Sequence, residues 1–451
     1  MTNNPNKKID IEELFQAYYD CRSNKRNTAN AIAFEMSYES KLFHLCEEIN
    51  NGTYTPGRSI AFVVEKPVKR EIFAADFRDR IIHHLLINKL NPLFEKQFIY
   101  DSYSCRVNKG THFGIKRVTR FIRQCSQNYQ VPCYILKLDI EGFFMHIDKN
   151  ILFDRLQLFI NEKYTQPDKE LIIELCRRVI FNDPTKNCCI KGKKNDWDNL
   201  PHTKSLFQSP VNCGLPIGNL TSQIFANFYL NSFDHYIKNN LTLRTNRLKQ
   251  PPAVCPPSPI GEGEGLMYGR YVDDFVIVHN DKEYLKSLIP NIQDFLLSTL
   301  KLTLHPRKIY LQSYEKGVKF LGAVIKPHRN YIANRTKGNF YDTITLWNKS
   351  LKENRANSQW LFEPDGADAH SREDLKLFLS SINSYLGIMK HYETYKIRKK
   401  MLLQNLSAYY WNYFYISSGY GKLVLKARRV KKVYKVESYK VYKVKNSTPT
   451  L

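Results

Sequence analysis

Short apolar runs bounded by turn residues alternate along most of the chain with longer stretches whose apolar positions recur every three to four residues. Up to about residue 60, helical spacing in IEELFQAYYD and SKLFHLCEEI ends in a turn at NNGTYTPG, which reads as a lead-in. SIAFVVEKP alternates as a strand that Pro67 ends, and the following helix carries Ile81, Leu85, Leu86 and Leu90 on one face. CYILKLDI predicts a strand ending at Asp139, with a helical zone from about Asp148 and a surface loop over IKGKKNDWDNLPHTKS. The block GLPIGNLTSQIFANFYLNSF opens as a loop and continues as a helix bearing Ile224, Phe228 and Phe233, for which Thr221 or Ser222 is the expected cap.

Further on, GRYVDDFVIVHN places Asp273 and Asp274 between two short runs that read as buried strands. EYLKSLIPNIQDFLLSTL is helical apart from Pro290, and GVKFLGAVIKP reads as the strand that completes a β-α-β pattern. From Arg335 the pattern turns helical: Ser371 and Asp374 have capping-box spacing ahead of the stripe Leu375, Phe378, Ile382, Tyr385 and Met389, which predicts a separate all-α module. The expected division is a lead-in (1–60), a main body (61–334) holding a Pro- and Gly-rich insertion at about 245–266, the α-helical module (335–421) and a basic tail (422–451).

Composition narrows the function. The 451 residues are 43% hydrophobic, ample for buried cores, and 68 Lys and Arg against 43 acids leave a formal charge of +25, the profile of a partner for a polyanion. No run approaches membrane-spanning length and the first residues lack a signal-peptide core, so no membrane association and a cytoplasmic location are expected. The ten cysteines contain no Cys-x-x-Cys pair, which argues against a zinc site or a disulfide framework. Lys and Arg interleave with Val and Tyr in the tail, where phosphate pairing and Tyr stacking compete with a plain solvated charge run.

Against that background two adjacent aspartates at a bend stand out, because neighbouring carboxylates repel and a cation relieves them. Should the strand ending at Asp139 neighbour the Asp273–Asp274 hairpin in one sheet, three carboxylates meet. That is a donor set for two Mg²⁺ ions, which prefer carboxylate oxygens and keep positions for phosphates.

YILKLDIEGFF, GLPIGNLTSQIFANFYLN, RYVDDFVIV and VKFLGAVI occur in the order of the palm motifs of reverse transcriptases, and REIFAADFRDRIIHHLL with DSYSCRVNKGTH resembles the preceding finger motifs. Within the group II intron-like bacterial enzymes, LPIGNLTSQ resembles the reverse transcriptases of diversity-generating retroelements, and SYLGIMKHYETYKIR resembles their thumb. The resemblance implies an α+β right-hand polymerase fold: fingers, a ferredoxin-like palm and an α-helical thumb. It also implies an RNA-directed DNA polymerase making adenine-mutagenic cDNA from a template-repeat RNA. Asp139, Asp273 and Asp274 are then catalytic, with the backbone carbonyl of Ile140 assisting them at two Mg²⁺ ions.

By the same resemblance Lys66 and Arg70 meet the triphosphate of a deoxynucleotide, and Lys308 protonates pyrophosphate. Phe144 excludes a ribose 2′-hydroxyl, Ile217, Gly218 and Gln223 line the nucleotide site, and Arg106 holds template. His83 and His84 match the family pattern but read as structural. The expected partners are template RNA, its cDNA, deoxynucleoside triphosphates and a small basic ring-forming accessory variability protein. Two other readings stay open: an antiviral-defence or retron-like reverse transcriptase, and a non-catalytic RNA-binding protein on a palm scaffold.

Overall fold

The computed structural model describes residues 8–23, 28–65, 68–241, 266–357 and 372–426. Lys66, Ser371, the insertion up to Gly265 and the tail from Ala427 lie outside them. The chain divides into two compact units, residues 1–333 and 334–451.

At the centre of the first unit is a four-stranded antiparallel sheet of β3 (Tyr134–Asp139), β5 (Met267–Tyr271), β6 (Asp274–His279) and β7 (Tyr310–Ser313), ordered β5-β6-β3-β7. Counted along the chain, the strands lie second, third, first, fourth, with helices between the first and second and between the third and fourth. This is the split β-α-β arrangement of a ferredoxin-like palm. Apolar residues fill β3 and β6: Ile135, Leu136, Leu138 and Phe275 to Val278 are all buried. Helix Lys282–Leu300 closes the unit, capped by the Asp281 carboxylate and burying Leu285, Leu288, Ile292, Leu296 and Leu300. It runs unbroken through Pro290, because the apolar face that packs on β3, β6 and β7 outweighs the one backbone bond that Pro cannot make.

The strand that completes the β-α-β unit is β7, not GVKFLGAVIKP. That segment folds back on itself as β8 (Val318–Phe320) and β9 (Ala323–Lys326), since Leu321 and Gly322 both take positive φ and reverse the chain; β10 (Arg329–Ile332) adds a third antiparallel strand. A further sheet pairs β1 (Ser59–Val64) antiparallel with β2 (Arg70–Ala74) and parallel with β4 (Cys188–Ile190). The stretch expected as a surface loop follows β4, sharing only Ile190 with it, and the buried Glu71 carboxylate ties it to β2 by accepting from Trp197 Nε1 at 2.7 Å and Ser205 Oγ at 2.8 Å.

Helix Leu220–Tyr229 is not capped by Thr221 or Ser222, which are buried within its first turn. Asn219 occupies the cap position, and its side-chain oxygen accepts from the Ala75 N–H at 3.1 Å instead, binding the loop to β2's exit. The N-terminal helices Ile11–Arg22, Ala29–Glu35 and Tyr38–Asn50 share the core of the first unit through Leu14, Tyr18, Leu42 and Leu45, with Tyr18 stacked on Tyr38.

The second unit is largely helical, with Asn334–Asn357, Arg372–Met389 and Tyr395–Lys400. Leu375, Phe378, Ile382 and Met389 are buried as the stripe requires, while Tyr385 is half-buried and stacks on Phe340. It is not all-α: β11 (Phe414–Ile416) and β12 (Leu423–Leu425) form an antiparallel pair, and Phe414 and Leu423 seal the core against which Phe378 stacks on Tyr410.

Candidate active site on the palm sheet

Strand pairing places the three aspartates. Asp139, the last residue of β3, is the register partner of Asp274, the first residue of β6. Directly opposed residues of an antiparallel pair share a face, so these two carboxylates share a floor. Tyr271 is the partner of Asp274 on the other side, leaving a two-residue bend of Val272 and Asp273. The bend is thus one residue earlier than an Asp-Asp turn: Asp273 sits on it, and Asp274 belongs to the strand.

Each strand carboxylate has a lysine. Lys308 Nζ donates to Asp139 Oδ1 at 3.0 Å, and Lys137 Nζ lies 2.9 Å from Asp274 Oδ1 without hydrogen-bond geometry. Asp273 has no such partner among the described contacts. Burial first, then the charges of Asp139 and Asp274, push its carboxyl up to about 6. Hard carboxylate oxygens under mutual repulsion are the donor chemistry that Mg²⁺ takes. Among the described residues no three acidic, His or Cys side chains are grouped as ligands around one point. The two lysines supply the counter-charge in this arrangement.

Next to Asp139, Ile140 is buried and bridges to Leu304, while the Asp139 carbonyl accepts from the His305 N–H at 2.8 Å, so Lys308 is held within reach. Phe144 is half-buried on the short helix Phe143–His146, its carbonyl accepting from Leu215. With Ile217 it packs on a small apolar cluster of Ala61, Phe73, Met145 and Leu206. The Ile217 carbonyl accepts from the Phe73 N–H at 2.9 Å, which fixes the LPIG loop on β2. Gly218 has φ +123°, and a Cβ there would meet Ile72 Cγ2 at 2.9 Å, so no other residue fits this approach. Arg70 opens β2 exposed, near enough for its charge to act on the Tyr271 hydroxyl, and Gln223 is exposed with its side-chain oxygen accepting from Cys105 Sγ at 3.1 Å.

Arg106 is held within the protein. Its guanidinium pairs with Glu95 at 2.8 to 3.1 Å and donates to the carbonyls of Ile99 and Ser102. Each of its nitrogens is engaged within the protein and the side chain is only 6% exposed, so here it holds a loop rather than facing outward to a template.

The family model described as reverse transcriptase (RNA-dependent DNA polymerase) matches residues 66–325, more than half of the chain. The chain belongs to this family. Similar proteins include a putative COX1/OXI3 intron 2 protein of Saccharomyces cerevisiae, 23% identical over 70% of this chain and 38% of that one. Protein YkfC of Escherichia coli is 21% identical over 62% of this chain and 69% of its own. The group II intron-encoded protein LtrA of Lactococcus lactis is 20% identical over 71% and 56%. The chain therefore spans between about a third and two thirds of these relatives. Among solved structures, apo telomerase from Candida tropicalis aligns with a TM-score of 0.44 at 13% identity, over 77% of this chain and 58% of that one. The matched region contains all three aspartates, of which Asp139 and Asp274 lie in strands of the four-stranded sheet and Asp273 on the bend between β5 and β6.

Sequence reasoning passed over Lys137. It lies two residues before Asp139 on a strand, hence on the same face, and that period of two was a readable signal. It also passed over Arg270, a charged residue in a run read as buried, which is fully buried and bonded to Asp234.

Proposed function

We propose that this reverse transcriptase family member copies RNA into DNA at the floor formed by Asp139, Asp273 and Asp274. The observation that carries the reading is the register of β3 with β6, which opposes Asp139 to Asp274 beside the bend holding Asp273. Asp139 and Asp273 would ligate two Mg²⁺ ions, with Asp274 and the Ile140 carbonyl in support. Bound there, the ions would activate a primer 3′-hydroxyl and stabilise the pyrophosphate leaving group. Lys308, 3.0 Å from Asp139, would give a proton to pyrophosphate. Arg70, with Lys66, would meet the triphosphate as charged donors. Phe144 would select deoxynucleotides by occupying the volume a 2′-hydroxyl needs.

The finer reading is a diversity-generating retroelement enzyme, with template-repeat RNA as substrate and a small basic ring-forming protein as partner. It is supported by the LPIGNLTSQ motif, in which Ile217, partly buried beside a small apolar cluster, would offer the nascent base pair shape without a hydrogen bond. Primer extension on a defined RNA, with and without Mg²⁺, tests the polymerase; a folded protein that binds RNA and never extends would instead be the non-catalytic scaffold. Sequencing that cDNA tests the finer reading. Wild type is expected to err mainly opposite adenine and Ile217→Gln to err less; even fidelity over the four bases would leave a retron-like or defence enzyme.

A further inference from the structure

Val272 has φ +55°, while Asp273 after it is not among the positive-φ residues. A positive φ at the first central residue alone is the sign pattern of a type II′ bend, where Gly is the usual occupant, and a β-branched residue there is an outlier that the surroundings must impose. What imposes it lies directly behind. Arg270 Nη1 donates to the Val272 carbonyl at 2.9 Å. The guanidinium is fully buried and clamped by Asp234, which accepts from Nε at 2.7 Å and from Nη2 at 2.6 Å; Asp234 also accepts from the Tyr268 hydroxyl. Asn227 Oδ1 and Ser102 Oγ complete the shell, and the Arg270 backbone is tied on both sides, its N–H to the Asp101 carbonyl and its carbonyl to the Tyr103 N–H.

A buried ion pair adds little net stability over apolar residues of the same volume, so its presence calls for another explanation. We propose that Arg270, braced by Asp234, is the positioning residue of the aspartate hairpin: it holds the Val272 carbonyl, keeps that residue left-handed, and so presents the Asp273 carboxylate to the floor shared with Asp139. This rests on reading the floor as the polymerase centre. Arg270 touches no reacting atom; it acts through the bend.

The test is a double-mutant cycle of Arg270→Lys with Val272→Gly, read by primer-extension kcat and KM and by Mn²⁺ binding followed from the spectrum of free Mn²⁺. Lysine keeps a charge for Asp234 but lacks the second arm that reaches Val272. Because a small displacement of reacting groups costs up to about a hundred-fold, Arg270→Lys should lower kcat by roughly ten- to a hundred-fold, weaken Mn²⁺ binding, and leave the nucleotide KM nearly unchanged. In the Val272→Gly background, where the left-handed bend needs no enforcement, the same change should cost less than about five-fold. Equal losses in both backgrounds, or a fall in melting temperature with kcat and Mn²⁺ affinity intact, would overturn the proposal. If Arg270→Lys does not fold, Arg270→Gln with Asp234→Asn, a neutral hydrogen-bonded pair, takes its place in the cycle. A wild type that never extends a primer refutes the polymerase reading instead, and the Mn²⁺ arm still decides whether Arg270 sets the bend.

Discussion

Two hairpins in the first unit solve the same geometric problem in opposite ways. Both have two-residue bends, Leu321–Gly322 between β8 and β9 and Val272–Asp273 between β5 and β6. In the first, both residues take positive φ, +49° and +81°, with Gly at the second position and open space around it. That is the pattern of a type I′ turn, which matches the strand twist and needs no outside help. In the second, a valine takes the strained position, and a buried guanidinium holds its carbonyl. One bend is stable by its own residues and the other by its surroundings. The difference is what the proposed site would require: the hairpin that carries a desolvated carboxylate is the one whose shape depends on the rest of the fold.

The contrast breaks most completely at Asp273. Asp273→Asn should abolish primer extension while leaving the protein folded, and it should stabilise the metal-free form. Burial and the neighbouring carboxylates raise the Asp273 carboxyl to about 6, so the folded state disfavours its ionised form. The resulting penalty is absent below the ordinary carboxyl value of about 4, grows as pH rises from there to about 6, and is complete above, up to about 3 kcal/mol. Thermal melts in chelator at pH 5 and pH 7.5 check this: the variant should gain over wild type at both, by roughly twice as much at the higher pH, and no gain at pH 7.5 would show that the carboxylate is already neutralised.

A smaller effect is expected at the lysine beside the hairpin. Lys137→Met removes a partly exposed ion pair to Asp274, so metal-free stability should fall by less than about 1 kcal/mol, while Mg²⁺ should raise the melting temperature more than it does in wild type. An equal or smaller Mg²⁺ response would mean that the lysine does not stand in for the cation. The smallest change belongs to the self-sufficient hairpin. Gly322→Ala has space for its Cβ but the wrong φ, so it should cost about 1 kcal/mol in denaturant midpoint and leave extension unaltered. A fall in extension would show that the two hairpins are coupled.

Much of the palm was readable because its strands are local signals. CYILKLDI and the runs around Asp273 and Asp274 are short and apolar, and they became β3, β5 and β6. The strand Tyr310–Ser313 was not readable: all four of its residues are half-buried, so it has no alternation to detect, and a more apolar neighbour, GVKFLGAVI, drew the assignment instead. Helix Lys282–Leu300 was read as interrupted because Pro290 is a local breaker, whereas the packing that carries the helix through it is not local. At the site, the residue types were legible and their partners were not. Arg106 looks like any exposed cation in a chain of charge +25 until Glu95 is seen to hold it.

The order of motifs, the basic character and the presence of three aspartates at strand ends are properties of the linear chain, since each depends on residue type and on spacings of a few positions. Long-range pairing set the rest. The opposition of Asp139 to Asp274 comes from strand register, which a shift of one residue would reverse to the other face. The lysine that meets Asp139 lies 169 residues away, and the aspartate that braces Arg270 lies 36 away. Periodicity reports which face a side chain takes; it carries no information on which distant charge will stand opposite, because that is fixed only when the apolar faces pack and bring the strands into register.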